Sequence, residues 1–95
     1  MAHFLYIIYS KSIDKFYVGE STDVDFRLNQ HNNHHFKMNF TKAANDWTIK
    51  LQFRCDSRNK AIFLESFIKR MKSRKFIEKL INKPEILNDI LSKKG

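Results

Sequence analysis

From Trp47 to Cys55 the chain alternates without a break. Trp47, Ile49, Leu51, Phe53 and Cys55 are apolar, and Thr48, Lys50, Gln52 and Arg54 between them are polar. Successive side chains on a strand point to opposite faces, so this period of two predicts a strand with one buried and one wet face. Such a strand needs partners, and the N-terminal part of the chain supplies them. Phe4 to Tyr9 (FLYIIY) is a continuous aromatic and β-branched run, the pattern of a strand buried on both faces. Ser10 to Lys15 is polar and contains Asp14, so it reads as a turn, and Phe16 to Glu20 (FYVGE) is a second strand. The interval is too short for a helical crossover. These two strands must run antiparallel.

The helices follow from spacing and caps. Ser21 or Thr22 can cap a helix from Thr22 to about Asn32, with Asp23 and Asp25 suited to its positive end. Val24, Arg27, Leu28 and His31 recur at i, i+3, i+4 and i+7, which puts two polar residues on the stripe that faces the sheet. Asn33 to Asp46 has no clean period and is expected to be a long loop, a type more often functional than incidental. Ser57 caps a segment over Asn59–Met71 whose stripe is Ala61, Leu64, Ile68 and Met71, widened by Ile62, Phe63 and Phe67. Ser73 opens a basic helical piece to Ile81, and Pro84 suits the first turn of a last helix carrying Ile86, Leu87, Ile90 and Leu91. The order β-β-α-β-α-α-α predicts an α+β fold, a three-stranded antiparallel sheet flanked by helices. With 95 residues, two Gly and one Pro there is no linker composition, so residues 1–95 are expected to form one domain with 82–95 as a C-terminal helical extension.

Charge narrows the partners. Eighteen Lys and Arg against ten Asp and Glu give a net charge of +8 and a pI near 9.8. That balance favours a polyanion, either nucleic acid or an acidic membrane surface. No apolar run reaches the roughly 18 residues of a membrane span. The single cysteine, Cys55, excludes an internal disulfide and sits at an inward strand position that reads as inert packing. Met1 to Tyr6 lacks the basic segment that precedes a signal-peptide core, so a cytoplasmic protein is expected. Between Arg58 and Lys79 there are eight basic residues against Glu65 and Glu78, an excess suited to phosphate contacts.

Several polar residues stand in apolar settings. Glu65 falls inside the apolar arc of its helix, and a carboxylate there needs a partner. The plain partner is Lys69, one turn on; the sharper one is a hard divalent cation. Arg27 and His31 read either as edge residues whose stems cover the core or as an anion site, where a guanidinium grips a phosphate in two places. Tyr6, Tyr9 and Tyr17 are strand residues whose hydroxyls need partners. Gly19 interrupts a strand, which marks a bulge or a close approach of backbone or ligand. His31, His34 and His35 lack a nearby Cys and match no standard zinc site.

Taken in order, Phe4-Leu5-Tyr6, Tyr17-Val18-Gly19, Arg27 followed one turn on by His31-Asn32, and the helix Ala61–Ser73 (AIFLESFIKRMKS) resemble the GIY-YIG endonucleases, in particular the small stand-alone bacterial members. The resemblance covers about residues 3–81. It implies a metal-dependent endonuclease that hydrolyses phosphodiester bonds in DNA, in repair or in the processing of branched or damaged DNA, with RNA as a further candidate. Tyr6 and Tyr17 correspond to the two motif tyrosines, and Gly19 closes the second motif. Arg27 matches the arginine that contacts the scissile phosphate, and His31 the position one turn on. Glu65 matches the single carboxylate that holds Mg²⁺ or Mn²⁺. Tyr6 is the first candidate for the base and Tyr17 the second. Gly19, Lys42, Lys69, Arg70 and Lys72 are the expected substrate-binding residues. The first motif departs from Gly-Ile-Tyr, and Glu20 stands where several relatives carry Lys, with Lys15 or Lys42 as the replacement charge. Asn82 is the candidate counterpart of an Asn that assists the metal in some members. Glu20 keeps a second reading open, a weak or inactive nucleic-acid-binding module of the same fold.

Overall fold

In the computed structural model, residues 2–33 and 44–93 are described. β1 (His3–Ser10) is the middle strand of a three-stranded sheet, with β2 (Lys15–Ser21) along one edge and β3 (Trp47–Cys55) along the other. Both pairings are antiparallel. A middle strand with helices on both faces has no wet side, which is why FLYIIY does not alternate. Leu5 and Ile7 enter one apolar cluster, Tyr6 and Ile8 the other, and all four are buried.

α1 (Val24–Asn32) covers the Tyr6 face. Val24 joins Tyr6, Ile8, Ala44 and Trp47 there, with Leu28 packed against them. α2 (Arg58–Met71), α3 (Arg74–Asn82) and α4 (Glu85–Ser92) cover the opposite face, where Ala61, Leu64, Ile68, Leu80 and Leu87 close over Leu5, Ile7 and Val18. This is the α+β architecture that the order of elements predicts. Among the described residues no helix is long and apolar enough to cross a membrane.

The structure corrects three local expectations and decides a fourth, left open between two readings. The alternation in β3 does not produce a single buried face. Pairing passes from Ile7↔Leu51 to Ile8↔Ile49, leaving Lys50 without an opposite number. That β-bulge flips the strand, so Trp47 and Ile49 pack on the α1 side while Leu51 and Cys55 pack on the α2 side. The cap of α1 is Asp23, whose carboxylate accepts the Phe26 N–H at 3.0 Å, so the helix starts at Val24 rather than Thr22. Ser21 instead braces that cap through the backbone of Asp23. Met71, expected on the buried stripe, is exposed, because α2 ends directly after it at a left-handed Lys72. Gly19 sits in regular pairing opposite Tyr6, with no bulge. Its reason is given below.

The hairpin tip is tied to α3. Asp14 adopts a positive φ of 53°, a conformation Asp tolerates, and its carboxylate accepts bonds from the Tyr9 hydroxyl at 2.5 Å and the Arg74 guanidinium at 2.6 Å. These two bonds, Arg74's foremost, hold the Asp14 carboxyl down to about 2. Residues 34–43, with His34, His35 and Lys42, lie outside the described residues.

Candidate active site

Tyr6 and Gly19 face each other across β1 and β2. A Cβ at position 19 would meet the Tyr6 hydroxyl oxygen at 2.5 Å and the ring carbon bearing it at 2.6 Å. The close approach predicted at Gly19 is therefore made by a phenol of the same sheet, laid over the neighbouring strand. That placement carries the Tyr6 hydroxyl to His31 Nε2, 2.9 Å away. His31 is 1% exposed although it is polar, because it projects from the sheet-facing stripe of α1. Burial, helped by the nearby Arg27 charge, lowers its pKa to about 4, so the imidazole is neutral near pH 7. Burial, followed by the Tyr17 phenol beside it, pushes the Tyr6 hydroxyl well above its ordinary value.

Tyr17 completes the group from the edge strand. Its ring centroid lies 4.9 Å from that of His31, and the Lys69 ammonium lies 5.2 Å above its face. Tyr17 is half-buried, whereas Tyr6 is 3% exposed. Lys69 also donates to Glu65 Oε2 at 3.1 Å, the one-turn pair that the spacing predicts. The charges of Arg27, Glu65 and Glu20 all act on the Tyr6 hydroxyl. Tyr6, Tyr17, Gly19, His31 and Lys69 thus meet along the β2 edge of the sheet, with Glu65 joined to them through Lys69 and the Arg27 charge near enough to lower the pKa of His31.

The remaining candidates divide. Lys72 lines a groove of about 540 Å³ that continues from Tyr17, whereas Arg70 is exposed and does not line it. Asn82 borders a separate hollow with Lys50 and Glu78 and makes no hydrogen bond to Glu65. Glu20 is directed toward His3 Nε2 at 3.5 Å and Arg58 Nε at 4.0 Å. Asn32 stands in the motif beside His31, but the sequence did not single out its role. Its amide donates to the Trp47 carbonyl at 3.1 Å and accepts from the Trp47 N–H at 2.7 Å, fixing the end of α1, and so His31, to β3. Only its position beside His31 at the end of a helix hinted at this.

Among the described residues no three His, Cys, Asp or Glu side chains gather as a metal cage. Among the described residues of the cluster Glu65 brings the one carboxylate. That fits a cation that keeps most of its water shell, as Mg²⁺ does, and not one that demands a full set of protein ligands.

Comparison with known proteins agrees with this fold. The sequence model of the GIY-YIG catalytic domain matches residues 2–80. The chain belongs to the GIY-YIG family. The structure is similar to the solution NMR structure of a UPF0213 protein from Bacillus halodurans, with a TM-score of 0.54 and 27% identity over 86% of this chain and 84% of that one. No curated protein matches the chain significantly. The resemblance read from the ordered motifs therefore holds, and with it membership of a nuclease family that acts on nucleic acid. Among the motif residues, Tyr6 packs over Gly19 on the neighbouring strand, and Glu65 on α2 is joined to Tyr17 through Lys69.

Proposed function

We propose that the protein is a divalent-metal-dependent endonuclease that hydrolyses phosphodiester bonds in DNA, acting in the cytoplasm in repair or in the processing of branched or damaged molecules. One observation carries this reading. Two phenols far apart in sequence from the carboxylate of Glu65 are linked to it at one edge of the sheet: the Tyr6 hydroxyl meets His31, the His31 ring lies against Tyr17, and Lys69, paired with Glu65, lies over the Tyr17 ring.

Glu65 is the residue that would hold Mg²⁺ or Mn²⁺, with Lys69 fixing its orientation. The cation, when bound, supplies Lewis-acid stabilisation of the phosphate and the departing oxygen. Arg27 neutralises the non-bridging oxygens as charge builds in the transition state. The proton of the attacking water goes to a phenolic oxygen, and burial decides which one. The accepting oxygen must first have lost its own proton: Tyr6 is enclosed and held protonated, whereas Tyr17 is partly open to solvent, to which its proton can leave, and lies under the Lys69 ammonium at the groove. We therefore assign Tyr17 as the base, and Tyr6 as the residue that holds His31 in place against Tyr17.

The test is nicking of supercoiled and branched DNA with Mg²⁺ or Mn²⁺ and with chelator. Wild type should cut only with metal. Glu65→Ala and Arg27→Ala should each cut about 10²–10³-fold more slowly while keeping the wild-type circular dichroism. A wild-type protein that binds DNA and never cuts any of these substrates would instead support the inactive binding module.

A further inference from the structure

We propose that the groove between β2 and the α2–α3 corner binds an unpaired nucleobase together with its flanking phosphates. The substrate would then be a DNA strand that is out of duplex next to the bond to be cut. This rests on the nuclease reading for its position beside the reacting phosphate, since Tyr17 belongs both to the site and to the groove wall.

The groove has two chemical zones. Phe16 and Ile77, both half-buried, and the buried Ile68 make its apolar part. Lys15, Lys69 and Lys72 supply cations around it. Lys15 and Lys72 form no ion pair among the described residues, so their charge is available to a phosphate. The one acid at the groove, Asp14, is already held by Arg74. A groove of about 540 Å³ with an apolar floor, edged by the uncommitted ammonium groups of Lys15 and Lys72, matches a flat apolar base on a polyanionic backbone. It does not match a duplex. Paired bases are stacked inside the helix and cannot reach a recessed apolar surface unless they are extruded. The Arg74 guanidinium stacks over the Phe16 ring with its centre 5.2 Å away, and its bond to Asp14 pins the hairpin against α3, so the recess is held open before any ligand arrives.

Binding is measured by fluorescence anisotropy of the wild-type chain, in chelator, on three labelled probes of equal length: a single strand, the same backbone with abasic residues throughout, and a duplex. The single strand should bind about tenfold or more tightly than the abasic backbone. Lys15→Gln and Lys72→Gln, exposed positions that leave folding intact, should each weaken binding and reduce the slope of log affinity against log salt by about 0.7. With Mg²⁺, bonds flanked by unpaired nucleotides should be cut faster than fully paired ones. Equal binding of the base-bearing and abasic strands, or no effect of either Lys variant, overturns the groove. Fast duplex cutting with no base dependence also overturns it and leaves the nuclease reading standing. Base-dependent binding with no cutting supports the groove and removes the nuclease reading.

Discussion

At the scale of single residues, the site depends on one missing methyl group. Gly19→Ala would drive a Cβ to 2.6 Å from the Tyr6 ring, inside any tolerable contact. Overpacking of this kind costs about 1–3 kcal/mol, and in a domain of this size each kcal/mol lowers the melting temperature by about 4–8 °C. Adding Tyr6→Phe to that variant should recover little, because the ring carbon and not only the hydroxyl stands in the way. Thermal melts of the single and double variants check this. His31 carries a separate pH signature. Its folded pKa of about 4 lies below the ordinary 6.5, so the unfolded chain takes up a proton in that interval that the folded chain refuses. Its contribution is complete above pH 6.5 and is lost as the pH falls toward 4, by on the order of 3 kcal/mol across the full window. Urea unfolding at pH 7 and pH 4.5 should show the decline, and His31→Asn should flatten it. The two phenols should also separate kinetically. Tyr17→Phe should lower kcat by about 10²–10⁴-fold, whereas Tyr6→Phe should act mainly on stability by removing the hydroxyl partner of His31 Nε2.

At the scale of elements, what was legible in the sequence and what was not follows from how local each cause is. β1, β2, α2 and α3 could be read because apolar period and a serine cap are properties of a short window. Ser57 and Ser73 do accept the N–H groups of Lys60 and Phe76. The bulge in β3 was hidden because alternation specifies in and out, not which of two apolar layers lies inside. Only pairing with β1 shows that Leu51 and Ile49 serve opposite faces. Asp23 competed with Ser21 and Thr22 for the same cap, and composition alone cannot rank three good acceptors. In the site, Tyr6, Tyr17, Arg27 and Glu65 were visible as an ordered set, but the partition of roles proposed for the two phenols rests on their difference in burial. Asn32 stands in the motif beside His31, but its role was not legible because its partner is backbone, and backbone hydrogen bonding leaves no residue type to recognise. Its two bonds to Trp47 tie α1 to β3 directly, and α1 carries both Arg27 and His31. Asn32→Ala should therefore destabilise the fold by about 1–3 kcal/mol. It should also slow cleavage more than an exposed α1 variant of equal stability loss, a comparison made by matching melting temperatures before assaying nicking.

At the scale of the whole molecule, a net charge of +8 invites the expectation that the protein binds DNA as a diffuse polycation. The structure distributes that charge differently. Arg74 is committed to Asp14, Arg58 leans toward Glu20, and Lys60 pairs with Asp56. Among the described residues the cations placed at the site and its groove to meet phosphates are Arg27, Lys15, Lys69 and Lys72, and Lys69 shares its charge with Glu65. Counterion release counts only cations that meet phosphates, so three to four such contacts on a single strand give a log–log salt slope of about −2 to −3. All eight net charges acting together would give a slope of about −6 on the same scale. The slope measured by anisotropy between low and physiological salt separates the two. A value near −2 to −3 that falls further with Lys15→Gln or Lys72→Gln places the electrostatics at the β2 edge, where the phenols and Glu65 meet. A value near −6 that is indifferent to those substitutions would mean that affinity comes from the surface at large. The cluster would then receive its phosphate by sliding rather than by direct capture.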